Sequence, residues 1–152
     1  MQGTHLGVVA AVVSLLFSGC FLSDTDHPNP PDGFDDWWIV AEMSADDPQL
    51  PADGQSMAEI AVRVFNKTAE TRDPRPGLEV VVLSSRNQTD IIDIIEQPTG
   101  PTNADGRAVA FIKSSTPGEA ILSATSNNIA LCKTWETTEC TQPLRLTMTF
   151  TQ

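Results

Sequence analysis

Thr102-Asn-Ala-Asp-Gly-Arg-Ala-Val-Ala-Phe-Ile-Lys-Ser-Ser-Thr-Pro-Gly-Glu-Ala-Ile-Leu-Ser-Ala-Thr125 is the stretch from which the fold is read. Asn103 to Gly106 is turn chemistry: short polar side chains that bond their own backbone, then a glycine free to take positive φ. Ala108, Ala110 and Ile112 then fall on one face of an extended segment. After the Pro117-Gly118 break, Ala120, Leu122 and Ala124 repeat the pattern. The expectation is a hairpin of two half-buried strands with no catalytic group in it.

Outward from this stretch the same period recurs. Trp37-Trp-Ile-Val-Ala-Glu-Met43 is rich in strand formers and reads as a first edge strand. Ser56 to Lys67 is the cleanest inner strand, with Ala58, Ile60, Val62 and Val64 on one face and Glu59, Ala61, Arg63 and Phe65 on the other. Leu78 to Leu83, apolar on both faces apart from Glu79, reads as a central strand covered on both sides. Ile91-Ile-Asp-Ile-Ile95 is a short strand or a helical turn, and its β-branched content favours the strand. Pro143 to Phe150 places Leu144, Leu146, Met148 and Phe150 inside. Asp46 to Gln55 and Ala69 to Gly77 are loops, and Asn127 to Cys140 is a longer excursion that holds Trp135. No helix period of useful length occurs. The fold class is therefore all-β: an antiparallel β-sandwich of about seven strands.

The chain of 152 residues has room for one such domain plus extras. Leu6 to Phe17 is an apolar run too short to span a bilayer but of signal-core length. Ser18, Gly19 and Cys20 follow. This resembles the lipobox of bacterial lipoproteins, which implies cleavage before Cys20, a lipid on Cys20 and a membrane anchor. The alternative is an ordinary secretory signal with a structural cysteine nearby. Phe21 rather than Asp after the cysteine implies outer-membrane sorting under the enteric rule. Phe21 to Asp36 mixes Pro, Asp, Asn and Gly and reads as a disordered acidic tether. The layout is a signal peptide over 1–19, a tether over 20–36 and the sandwich over 37–152.

Ten of the twenty acidic residues precede Arg63, the first basic residue, in a chain of net charge −11. Such an acidic front repels nucleic acid, and no basic cluster with interleaved aromatics exists, so nucleic acid is excluded as a partner. With Cys20 assigned to lipid, Cys132 and Cys140 remain as a possible disulfide in an oxidising compartment, or as two free thiols in a reducing one.

Leu50-Pro-Ala-Asp-Gly54, Pro76-Gly77, Thr102-Asn-Ala-Asp-Gly106 and Pro117-Gly-Glu-Ala-Ile-Leu-Ser-Ala-Thr125 together resemble the bacterial Ig-like domain of the invasin/intimin type (Big-1). The resemblance covers roughly Ile39 to Gln152. It implies an Ig-like sandwich that serves as a structural or adhesion-type module of the bacterial cell envelope.

No enzyme is expected. His5 falls in the signal segment and His27 in the tether, which leaves no Ser-His or Cys-His pair and no multi-histidine metal site in the domain. No cofactor is expected. Asp24-x-Asp26 lacks the other ligands of a calcium loop, and Asp46, Asp47, Asp53 and Asp105 read as turn formers before they read as calcium ligands. Trp37, Trp38 and Trp135 are the candidate contact residues for an unidentified protein or glycan, because exposed aromatics carry much contact energy. An aromatic pair such as Trp37 and Trp38 more often caps the core with one ring and shields an edge with the other than it forms a ligand platform. Two further functions stay open: a carbohydrate- or peptide-binding module using the 132–140 loop, and an accessory subunit of an envelope complex.

Overall fold

The computed structural model describes residues 38–67, 71–88, 90, 92–136 and 139–152. The expected signal segment, the tether, Cys20 and Trp37 lie outside the described residues. Among those described, the chain runs through β1 (Trp38–Ala45), β2 (Gln49–Pro51), β3 (Ala58–Lys67), β4 (Arg72–Pro74) and β5 (Val81–Ser84). A 3-10 turn (Ser85–Asn87) leads to β6 (Asp93–Glu96), β7 (Arg107–Ser114), β8 (Gly118–Ser126) and β9 (Ile129–Ala130). The order ends with β10 (Cys132–Glu136), β11 (Glu139–Pro143) and β12 (Leu146–Thr151). No helix among the described residues is long and apolar enough to cross a membrane.

Two sheets form the sandwich. One has the order β1-β3-β7-β6, with β4 beside β3; the other has the order β2-β12-β8-β5, with β9 beside β8. Period-two patterning explains which faces meet. Ala58, Ile60, Val62 and Val64 of β3 and Ala108, Ala110 and Ile112 of β7 are buried on one inner face. Val82, Ala120, Leu122, Ala124, Met148 and Phe150 oppose them from the second sheet. Each large aliphatic side chain buried in this way contributes roughly 1.5–3 kcal/mol of transfer free energy. Phe65 faces the other way, as its place beside Arg63 requires, yet it is buried. The guanidinium groups of Arg72 and Arg63 lie over its ring at 4.3 and 5.5 Å.

Three expectations need correction. First, β7 and β8 are not a hairpin: β7 pairs with β3 and β6, whereas β8 pairs with β12, β5 and β9. The turn between them carries the chain from one sheet to the other. Both strands show the same alternation whether they lie side by side or face to face, so only pairing with distant strands decides. Second, β5 is an edge strand of its sheet, with Val81 42% and Leu83 45% exposed. Its apolar outward residues look like a covered central strand because sequence carries no sign of what lies opposite. Third, the loops at 46–55 and 69–77 each hold a three-residue strand. β2 pairs with β12, and in parallel, so the sandwich is not wholly antiparallel; β4 pairs with β3. Prolines at the ends of both hide them from a propensity reading, since proline fits a short edge strand but argues against an interior one.

Gly106 is fixed by close approach as well as by its turn. Its φ is +69°, and a Cβ there would stand 2.3 Å from the Val64 carbonyl oxygen and 2.9 Å from the Arg75 nitrogen. That closeness lets the Gly106 carbonyl accept from Val64 N–H at 2.8 Å where β7 gives way to β4 beside β3.

Candidate functional site

The two edge strands β5 and β6 lie on the same side of the sandwich and border a cleft of about 720 Å³. Leu83 and Ile94, both large and exposed, form its lips, with Ile95, Ile121, Ser123 and Arg145 also lining it. Its two ends are closed by side-chain amides. Asn87, just after β5, accepts from the N–H groups of Ile92 and Asp93 (2.9 and 2.8 Å) and donates to the Asp93 carbonyl (2.7 Å). Gln97, just after β6, accepts from Val82 N–H (2.8 Å) and donates to the Val82 carbonyl (2.7 Å). Sequence reading missed both residues; an isolated amide near a strand carries no sign of a partner in the opposite sheet.

Behind the cleft sits a buried ion pair. Asp93 is fully buried, with a chelating contact from Arg86 whose Nε lies 3.2 and 3.1 Å from the two carboxylate oxygens. The Ser84 hydroxyl donates to the second oxygen at 2.5 Å. Arg86 spends its other donors on Ser114 Oγ and on the carbonyls of Thr116 and Pro117. Its guanidinium also lies 5.1 Å from the Phe150 ring centroid. The cluster thus fastens β5, β6, β7 and the crossing turn to one another. With every acceptor engaged it is a structural pin, not a nucleophile with a base.

The disulfide is formed. Cys132 and Cys140 are joined, with Cα atoms 5.9 Å apart, across the separate two-stranded sheet β10-β11. Trp135 lies in β10 with its backbone opposite Cys140, and Trp38 lies in β1 opposite Lys67. β10 runs against β1, so the sandwich brings these two segments to one side of the molecule.

The aspartates behave as turn formers at three of the four positions. Asp46 Oδ1 accepts from the N–H groups of Asp47 and Glu59, and Asp47 Oδ1 from Gln49. Asp53 accepts from the N–H groups of Ser56 and Gln55 and from the Ser56 hydroxyl, and these bonds hold its carboxyl below the usual carboxylate range. In the second Asp-Gly turn the work falls to Asn103 instead, whose Oδ1 accepts from Asp105 and Arg107 N–H at 2.9 Å each. Among the described residues no group of three or more His, Cys, Asp or Glu side chains is placed to hold a metal ion.

No protein-family model matches the chain, and no curated protein matches it. Solved structures do. The chain is similar to invasin, described as a bacterial integrin-binding protein, with TM-score 0.53 and 20% identity over 73% of this chain and 19% of that one. It is similar to the D00-D0 domain of intimin, with TM-score 0.51 and 18% identity over 75% of this chain and 48% of that one. A C-terminal 282-residue fragment of intimin, in complex with the intimin-binding domain of the translocated intimin receptor, gives TM-score 0.52 and 21% identity over 74% of this chain and 32% of that one. The chain therefore spans less than half the length of each of these structures. The fold is an Ig-like sandwich of the invasin/intimin type.

Proposed function

We propose that this chain is a non-enzymatic, lipid-anchored Ig-like module of the bacterial cell envelope that presents an adhesion-type contact surface to a protein. The observation that carries the proposal is the likeness of its sandwich to Ig-like domains of two adhesins, invasin and intimin. The intimin fragment held by a receptor domain is the reason to name a protein as the ligand class. In this reading residues 1–19 are removed as a signal, Cys20 carries acyl chains in the outer membrane, and 20–36 lift the domain spanning 37–152 off the surface. Trp37, Trp38 and Trp135 remain the proposed contact residues.

A second reading is favoured by the disulfide-closed hairpin β10-β11, which forms a two-stranded sheet of its own beside β1. In it, that hairpin binds a carbohydrate or peptide. The acylated full chain in liposomes, tested on a glycan array and by cross-linking in solubilised envelope and on host-protein arrays, separates these readings. Binding to a host protein that is lost on blocking the domain supports the adhesion reading. Glycan binding lost on Trp135→Ala supports the hairpin. A stoichiometric envelope partner identifies an accessory subunit instead, and the absence of any protein ligand contradicts the first reading.

A further inference from the structure

Asn87 and Gln97 stand in a reciprocal relation across the cleft. Each follows one edge strand in sequence and bonds the backbone of the other, which lies in the opposite sheet. In an antiparallel ladder, successive residues point their N–H and C=O pairs to opposite sides. Val82, like Ser84, is a residue of β5 whose pair points away from β8, and Asp93, like Ile95, is a residue of β6 whose pair points away from β7. Those are the peptide groups an added strand would seize. Each amide accepts from the N–H and donates to the C=O of one residue, at 2.7–2.8 Å. That is the pair of bonds a neighbouring strand residue makes.

We infer that Asn87 and Gln97 are edge guards, which keep β5 and β6 from pairing with the same edge of a second copy of this chain. Open edges flanked by apolar residues are the usual route to association, and proteins cover them by several devices. Here Val81, Leu83 and Ile94, at 42%, 45% and 50% exposed, supply the apolar flank. A second copy is the occupant excluded because it brings an edge with the same alternation, so a two-fold pairing would set Ile95 against Ile95 and repeat itself on both sides. Between the guards Ile95 points its own peptide groups outward, by the same alternation, and is the seed at which such pairing would start.

The test uses the full chain, with oligomeric state read by light scattering over a hundredfold concentration range and amide exchange read residue by residue. Wild type is expected to be monomeric, with slow exchange at the amides of Val82 and Asp93. Gln97→Ala should speed Val82 exchange at least tenfold, and Asn87→Ala should do the same at Asp93. The double variant should associate with rising concentration, and adding Ile94→Lys, at a side chain that is 50% exposed, should return it to monomer. If the double variant does not fold, Gln97→Glu serves alone: it keeps the acceptor for Val82 N–H, loses the donor, and should associate weakly. Faster exchange without association overturns the guard role. Unchanged exchange, or a wild type already paired through this edge, overturns it too.

Discussion

At the residue scale, the most consequential side chain is Asp93. It is buried with Arg86, whose own side chain is 12% exposed, so removing either partner strands a charge. Asp93→Ala should lower unfolding free energy by roughly 3–5 kcal/mol, whereas Asp93→Leu with Arg86→Met should recover much of that loss. Urea midpoints of the three chains check this; equal midpoints for wild type and Asp93→Ala would remove the pin from the fold. Gly106→Ala should also destabilise, since neither its φ nor the space beside Val64 admits a Cβ. Asp53 gives a pH signature. Its folded carboxyl is held low by N–H donors, first that of Ser56, so its contribution is present above the ordinary carboxylate value of about 4 and fades as pH falls below it. The stability gap between wild type and Asp53→Ala should therefore narrow between neutral pH and about pH 2. A constant gap would contradict the turn's acid linkage.

At the element scale, the hairpin β10-β11 should depend on its disulfide. Closing a loop of this length contributes roughly 2–3 kcal/mol. Cys140→Ser should release amide protection in β10 and β11 while leaving β3, β7 and β8 protected, because Cys132 lies outside the main core cluster. Loss of the whole sandwich on reduction would show that the hairpin is part of the core instead. Elements also mark where sequence was legible. The inner strand β3 was readable down to the direction of each side chain, since one face of Ala58, Ile60, Val62 and Val64 fits only a covered sheet. The strand β5 was readable as a strand but not as an edge. The turn Ser115-Thr116-Pro117 was readable as a turn, yet not as a passage between sheets, because what commits it is Arg86 reaching across from a distant segment. Asp47 and Asp53 were legible as turn formers because their partners are two or three residues away, whereas the bond from Glu59 N–H to Asp46 was not. The cleft was not, because Asn87, Gln97 and Arg145 reach it from three separate segments.

At the scale of the whole molecule, the sandwich is a stiff body with one guarded edge side and one hairpin side. β1, where the tether of the proposed layout would join, runs beside that hairpin. In the proposed layout, anchoring at Cys20 would decide how the domain is presented, and metabolic labelling with an alkyne fatty acid tests it most directly. Label on the membrane-fractionated wild-type chain, absent from Cys20→Ser, is the expected result. An unlabelled wild type, or label that persists in Cys20→Ser, would contradict a lipid-anchored envelope module.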